Sequence, residues 1–281
     1  MNKMIYSPDV STSPPASEPV AIERWRAGGA ETGSDKVAVE MPIALAFNGV
    51  SHTVMLASPT DLDDFALGFS LTEGIIETPR QLRDIEIETQ PNGIVVQMTI
   101  AAERFLKLQD HRRSMAGRTG CGLCGADSLE QVVRSLPPVE ARTRFSPEAL
   151  QRAATEIGGW QSLQRETGAT HAAAWMDNTG KILCVREDVG RHNALDKLIG
   201  ALSMARADFG AGGFLVTSRA SYEMVQKSVA AGAGLLAAVS APTALAVERA
   251  KQWNLTLVGF LRPGSQVVYS QGWRMTQEGV S

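Results

Sequence analysis

Residues 235–260 read LLAAVSAPTALAVERAKQWNLTLVGF, and this stretch decides the fold class. The apolar runs Leu235–Val239 and Leu255–Phe260 are typical of buried strands, and Thr243–Trp253 between them is typical of a helix. A strand, a helix and a second strand in this order predict two parallel strands joined by a right-handed crossover. We therefore expect an α/β sheet that is covered by helices.

The same alternation runs through the second half of the chain, residues 139–281. A helix opens at Ser146-Pro147 and ends near Ile157, and further elements follow in order. We expect strands at Ala172–Met176, Ile182–Arg186, Phe214–Thr217 and Gln266–Tyr269, and helices at Arg191–Ala205 and Tyr222–Ala231. This order predicts a three-layer sandwich with a mostly parallel sheet.

The first half predicts a smaller α+β domain, residues 21–136, which follows a disordered Ser/Pro-rich tail at residues 1–20. Asn48-Gly49 and Asn92-Gly93 are two-residue hairpin signals, and Ser58-Pro59 opens a helix. Pro137-Pro138 marks the domain boundary, because two prolines cannot continue a helix. The expected strands are Val37–Met41, Ile43–Phe47, Thr53–Leu56, Asp84–Glu88 and Ile94–Ile100.

Composition narrows the class of protein. The chain has 281 residues, a net charge of −3 and 44% hydrophobic residues, which describes an ordinary globular protein and disfavours general nucleic-acid binding. Its first residues contain no apolar signal sequence, so we expect a cytoplasmic protein. Ala230–Val247 is nearly free of polar groups, but Gly232, Gly234 and Pro242 interrupt it, which favours a buried strand between helices over a membrane span.

A Cys-x-x-Cys pair, Cys121 and Cys124, lies in a glycine-rich stretch with a basic approach. Asp127 and Glu130 form a capping-box pattern that predicts a helix at Ser128–Leu136. Cations and helix N-termini lower the pKa of a cysteine, so the pattern favours reactive thiolates. The basic residues of the approach are Arg104, Lys107, Arg112, Arg113 and Arg118.

Two other interpretations of the pair stay open at this point. A structural zinc site needs four ligands, and His111 and His171 do not come at ligand spacing. A redox or structural disulfide is disfavoured by the low cysteine count and the absence of a secretion signal. The third cysteine, Cys184, lies in an apolar run and is expected in the core.

Polar residues follow three of the predicted strands at their carboxyl ends, where open α/β sheets bind ligands. Arginine forks and helix N-termini favour phosphates, so we expect a phosphate-bearing ligand there. We also expect outward-facing backbone N–H groups at the Pro263-Gly264 turn. A plain hairpin with a core Phe260 is the alternative. The candidate binding residues are Arg191, His192, Thr217, Ser218, Arg219, Phe260, Leu261, Arg262, Pro263, Gly264 and Ser265.

Five stretches in this order resemble the formate dehydrogenase accessory sulfurtransferase family, the FdhD-type proteins. They are PTDLDDFALGFSLTEGII at 59–76, RTGCGLCG at 118–125, EDVGRHNAL at 187–195, TSRASY at 217–222 and GFLRPGS at 259–265. The resemblance covers nearly the whole chain after the first twenty or so residues. It implies a homodimer whose larger domain has a cytidine deaminase-like fold.

The resemblance also implies an activity. FdhD-type proteins accept sulfur from a cysteine desulfurase and pass it to bis-molybdopterin guanine dinucleotide, the molybdenum cofactor that serves the formate dehydrogenase catalytic subunit. Cys121, with the more basic flank, would accept the sulfur as a persulfide, and Cys124 would assist release or relay. No protein metal site is required. The alternative is a non-catalytic cofactor chaperone that binds and delivers the cofactor without carrying sulfur.

A zinc deaminase is a competing enzyme class for a deaminase-like fold with a Cys-x-x-Cys pair. Its chemistry needs a His-x-Glu, in which the histidine binds zinc and the glutamate shuttles protons, and then Pro-Cys-x-x-Cys. None of the four histidines has a glutamate two residues later, and Gly120 rather than proline precedes Cys121. The sequence therefore disfavours a deaminase.

Overall fold

A six-stranded sheet organises the second half of the chain in the computed structural model, which describes residues 14–115 and 135–276. The strands are β7 (His171–Asp177), β8 (Ile182–Asp188), β9 (Gly212–Val216), β10 (Leu235–Ala238), β11 (Thr256–Arg262) and β12 (Ser265–Ser270). Their order in the sheet is β12-β11-β10-β9-β7-β8.

The sheet is mixed, so the prediction of a mostly parallel sheet was wrong. β10 is parallel to β9 and to β11, as the βαβ stretch predicted. The β7–β8, β7–β9 and β11–β12 pairs are antiparallel. The β7–β8 and β11–β12 connections are tight turns, which can join only antiparallel strands because a parallel pair needs a long crossover.

Helices lie on both faces of this sheet. Helix α3 (Pro147–Trp160) packs on one face, and the other face is covered by α5 (Arg191–Met204), α6 (Tyr222–Ala230) and α7 (Ala244–Gln252). Along β7 the side chains alternate between the two cores: Ala174 packs with the α3 residues and Trp175 with the α5 residues. Successive side chains of a strand point to opposite faces of the sheet, so a strand covered on both faces contributes alternately to the two cores.

The smaller unit is a four-stranded sheet of order β4-β3-β6-β5 with a helix packed on one face. Asn48 and Gly49 both have positive φ and form the predicted β3–β4 hairpin turn. Phe65 and Phe69 of helix α1 fill the core beneath the sheet. The elements are β3 (Met41–Phe47), β4 (Val50–Ala57), α1 (Leu62–Thr72), β5 (Leu82–Gln90), β6 (Gly93–Ile100) and α2 (Ala102–Met115).

A two-stranded ribbon precedes this sheet. Strand β1 (Ser17–Arg26) pairs with β2 (Gly29–Ala38) over its whole length, so the predicted disordered tail was wrong for residues 17–20. The pairing partner lies later in the chain, which a composition argument cannot detect. The ribbon is tied to helix α4 (Ser162–Thr167) through Glu166, which accepts hydrogen bonds from Ser17 and Lys36.

The two units dock through α1 and α5, whose backbones approach very closely. A Cβ atom on Gly68 would lie 1.8 Å from the carbonyl oxygen of Asp196, and one on Gly200 would lie 1.9 Å from that of Asp64. Glycine is therefore required at both crossing points, because any side chain would push the helices apart.

This contact gives a stability prediction. Gly68→Ala and Gly200→Ala should each lower the free energy of unfolding by about 1–3 kcal/mol or more, because overpacking forces rigid backbone to move. Urea denaturation measures the change. Gly159→Ala is the matched control: it lies in helix α3 with no atom within 4 Å of the added Cβ. It should stabilise by up to about 1 kcal/mol, and an equal loss in all three variants would contradict the prediction.

Candidate functional site

A cavity of about 660 Å³ opens at one edge of the six-stranded sheet. Its walls come from helix α3, from Gln161 and Gln164 at the start of α4, and from residues 168–170. The sheet side is formed by His171, Thr217 and the segment Leu261–Pro263. A cavity of this size falls in the range of small-molecule sites.

Sheet topology explains why these residues meet. Strands β8, β9, β10 and β11 all end at this edge, while β7 runs the other way and begins there. His171, the first residue of β7, therefore lies beside the strand ends. Thr217 is held beside His171, because the Thr217 Oγ1 accepts a hydrogen bond from the N–H of the next residue of β7, Ala172, at 2.9 Å. The structure confirms that the polar loops after β8, β9 and β11 lie at one edge of the sheet.

The charge of the cavity favours an anion. None of the described residues that line it carries a carboxylate, and the ionisable side chains among them are His171 and Arg262. Arg262 is exposed at the end of β11, where its guanidinium can form the two parallel hydrogen bonds that phosphates accept. An acidic ligand would therefore meet positive charge without a competing carboxylate.

The candidate binding residues divide into two groups. Thr217, Leu261, Arg262 and Pro263 line the cavity. The other seven do not form its walls, although all lie at or next to the strand ends of the same edge: Arg191, His192, Ser218, Arg219, Phe260, Gly264 and Ser265. The structure confirms that these residues share one edge of the sheet and shows which of them form the wall of the cavity; that a ligand binds there stays a prediction.

Phe260 has an unusual backbone. Its φ is +49°, a left-handed conformation that costs free energy in an aromatic residue. It lies at a bulge, where the β11–β12 register shifts between Gly259 and Arg262, and its side chain is 39% exposed. The alternative of a core Phe260 in a plain hairpin is therefore wrong. Bulges of this kind redirect a side chain next to a functional site.

The Pro263-Gly264 turn does not offer the free N–H that the sequence predicted at Gly264. That N–H donates to Gln151 Oε1 of helix α3 at 2.6 Å. The Gln151 Nε2 in turn donates to Gln266 Oε1 at 2.7 Å. The turn is thus anchored to α3, and the backbone group expected to bind a phosphate already has an acceptor. Sequence alone could not show this, because Gln151 lies more than a hundred residues away.

The 187–195 stretch has a largely architectural role. The Asp188 carboxylate pairs with Lys197 at 2.6 Å and accepts the backbone N–H of Ser58 at 3.0 Å and of Gly190 at 2.7 Å. The neighbouring Glu187 accepts two N–H groups at the start of α4. These carboxylates join the two units and fix the wall of the cavity.

The comparisons with known proteins place the chain in a family. The model of the FdhD/NarQ family matches residues 38–276. The chain belongs to the FdhD/NarQ family. The sulfur carrier protein FdhD of Cupriavidus necator is 54% identical over 284 residues, which cover 99% of both chains. That of Bordetella petrii is 52% identical over 271 residues, or 96% of this chain and 98% of the relative.

A solved structure supports the same assignment. A crystal structure from Desulfotalea psychrophila, described as a formate dehydrogenase accessory protein, has a TM-score of 0.73 and 25% sequence identity to this chain. It covers 93% of this chain and 100% of its own. The resemblance to FdhD-type proteins seen in the sequence is thus confirmed.

The two cysteines of this FdhD/NarQ chain, Cys121 and Cys124, lie outside the described residues, as does most of the predicted helix 128–136. The prediction that Arg104 belongs to the cations acting on the cysteine pair was wrong. Arg104 is buried, donates to the carbonyl oxygens of Gly74 and Ile75 at 2.6 and 2.8 Å, and pairs with Glu77. It secures the end of helix α1 and is therefore not a free cation that lowers a cysteine pKa.

The third cysteine behaves differently from a reactive thiol. Cys184 is half-buried in β8 and packs partly against the core on the α5 face. Burial raises the pKa of its thiol, and the nearby Arg186 only partly offsets this. A raised pKa leaves little thiolate at neutral pH, so Cys184 is a poor nucleophile.

In the described part of the chain, no helix is long and apolar enough to cross a membrane. Residues 14–115 and 135–276 also contain no group of three or more histidine, cysteine, aspartate or glutamate side chains placed to hold a metal ion.

His171 is the site residue that the sequence analysis missed. It was considered only as a zinc ligand, whereas the structure places it in the cavity wall. Burial lowers the pKa of His171, and the positive charges of Arg191 and His192 lower it further, while Asp188 acts in the opposite direction. A histidine directly before a strand that begins at the ligand-binding edge was the available signal.

The pKa of His171 can be measured by NMR. We expect its imidazole to titrate below the usual value of about 6.5, because burial and Arg191 both disfavour the imidazolium. Arg191→Gln should raise this pKa, while burial keeps it below the ordinary value. The exposed Arg219→Gln is the matched control and should leave it unchanged. A normal pKa in the wild type would contradict the cavity environment described here.

Proposed function

We propose that the chain is a sulfurtransferase. It accepts sulfur from a cysteine desulfurase as a persulfide on Cys121 and passes it to bis-molybdopterin guanine dinucleotide, the cofactor of formate dehydrogenase. The observation that carries the proposal is the Cys-x-x-Cys pair in a chain whose FdhD/NarQ relatives are named sulfur carrier proteins. The proposal includes a cytoplasmic homodimer.

The sulfur step needs no external oxidant. The Cys121 thiolate attacks the terminal sulfur of the desulfurase persulfide, a new S–S bond forms on Cys121, and the desulfurase cysteine leaves as a thiolate. Release at the level of sulfide needs two electrons. Attack of the Cys124 thiolate on the inner sulfur of the persulfide would supply them, because a Cys121–Cys124 disulfide forms as the terminal sulfur leaves. A cellular thiol reductant would then restore the pair.

The cavity is the proposed site for a nucleotide part of the cofactor. Arg262 would pair with the pyrophosphate, and the exposed ring of Phe260 would stack on a guanine. The absence of carboxylates from the described residues of the cavity wall supports an anionic ligand. The cavity supports the proposed site for the cargo, and the Cys-x-x-Cys pair supports the proposed sulfur chemistry.

The persulfide can be detected by mass spectrometry. After incubation with a cysteine desulfurase and cysteine, the wild type should gain the mass of one sulfur atom, and Cys121→Ala should gain none. Cys121→Ala should also abolish formate dehydrogenase maturation, while Cys124→Ala should still accept sulfur. Cys184→Ala is the matched control and should behave as the wild type, because the thiol it removes is half-buried with a raised pKa.

Other outcomes separate the alternatives. A wild type that gains no sulfur but still supports maturation would identify a cofactor chaperone that binds and delivers only. An adduct retained in Cys121→Ala and lost in Cys124→Ala would exchange the roles of the two cysteines.

The nucleotide site can be tested with guanosine diphosphate. Arg262→Ala should weaken binding about 10- to 100-fold, since a hydrogen bond to a charged group contributes about 1.5–3 kcal/mol. Isothermal titration calorimetry measures the affinity. Arg80→Ala is the control, because Arg80 is also exposed but lies in the smaller unit. Equal affinity in both variants would move the site to the loop at residues 217–221.

A further inference from the structure

His171 is placed to contact whatever fills the cavity. It is the first residue of β7, it is half-buried, and it shares the cavity wall with Thr217 and Arg262. Its ring nitrogens make no hydrogen bond or ion pair with the described part of the chain. A polar side chain in a cavity wall without a protein partner is available to a ligand.

The charged groups around His171 either are bonded to other residues or disfavour its protonated form. Asp188, at the end of β8, faces it but is fully buried and already bonded to Lys197, Ser58 and Gly190. From helix α5, Arg191 and His192 both act on it as positive neighbours.

His192 has its own partner, because its Nε2 lies 2.9 Å from a carboxylate oxygen of Glu223. From β11, Arg262 lines the same cavity. Among the described residues, Asp188 is the carboxylate that favours the charged form of His171, and its oxygens are already bonded. The neighbouring Glu187 accepts hydrogen bonds from Leu163, Gln164 and Thr170.

We propose that His171 binds a phosphate group of the ligand as an imidazolium, so that the ligand and one proton enter the cavity together. The proton comes from solvent. This inference rests on the proposed nucleotide site and adds a ligand-contacting residue and a pH dependence to it.

The direction of the pH dependence follows from linkage. In the free protein, burial and Arg191 lower the pKa of His171. A bound phosphate would raise it, because the negative charge offsets these positive neighbours. A group whose pKa is higher in the complex takes up a proton on binding. Affinity should therefore rise as the pH falls through the pKa of the complex, and level off below the pKa of the free protein.

The probe must not titrate in the same range. The second ionisation of a phosphate monoester lies near pH 6, so guanosine diphosphate would obscure the effect. P1,P2-di(guanosine-5′) diphosphate avoids this, because both phosphates of its pyrophosphate are esterified. It also carries guanine bases, as the proposed cargo does.

Calorimetry of this diester from about pH 8.5 to about pH 5.5 tests the proposal. Wild-type affinity should rise by at most about tenfold per pH unit, the limit for one coupled proton. Titrations in buffers of different ionisation enthalpy should show proton uptake. His171→Gln should match wild-type affinity at the highest pH, which also shows that it is folded, and should take up no proton. His52→Gln, on β4 of the smaller unit, should follow the wild type.

The outcomes distinguish this inference from the proposed function. Arg262-dependent binding with no proton uptake in the wild type, or with the same uptake in His171→Gln, would overturn the role of His171 alone. Failure of the diester to bind, or binding unaffected by Arg262→Ala, would overturn the nucleotide site and the inference with it. An NMR titration of His171 in the bound wild type gives a second measurement: an unchanged pKa on binding would also overturn the proposal.

Discussion

The buried ion pair between Asp188 and Lys197 is the interaction on which the arrangement of this protein depends. Both side chains are fully buried, and Lys197 Nζ also donates to the carbonyl oxygen of Ser58 at 2.9 Å. The Asp188 carboxylate accepts the Ser58 N–H and the side-chain amide of Asn193 as well. Removing one member of such a pair typically costs about 3–5 kcal/mol, because a charge is left buried without its partner. The ion pair and its hydrogen bonds therefore hold the end of strand β8 against the loop between β4 and α1.

A second buried charge lies at the same interface between the two units. Lys227 of α6 contacts Asp196 of α5 at 2.9 Å and Glu73, just after α1, at 2.7 Å. Burial alone would lower the pKa of Lys227, but the two carboxylates raise it above its ordinary value. The lysine therefore stays charged at neutral pH. Together with the glycines at the α1–α5 crossing, these charges determine how the smaller unit docks on the larger one.

The cavity lies in the larger unit, and its wall follows from the six-stranded sheet and the segments packed on it. Carboxylates at the ligand-binding edge are used in the architecture: Asp188 joins the two units and Glu187 binds the start of α4. The cavity wall retains His171 and Arg262 as its ionisable groups. The strained backbone at Phe260 turns an aromatic ring outward at the same edge. Because the carboxylates at this edge are bonded within the protein, the positive side chains are left to attract an anionic ligand.

The sequence by itself determined the α/β class, the βαβ unit at residues 235–260, the Asn48-Gly49 hairpin, the family and the edge at which the polar loops meet. These features depend on local periodicity, turn chemistry and motifs, which neighbouring residues specify. Only the tertiary structure decided that the sheet is mixed, that residues 17–20 pair in a ribbon, and that His171 lines the cavity. It also showed that the Gly264 N–H donates a hydrogen bond to Gln151 and that Arg104 is buried. Each of these depends on a contact between residues distant in the chain, and no local pattern encodes such a contact.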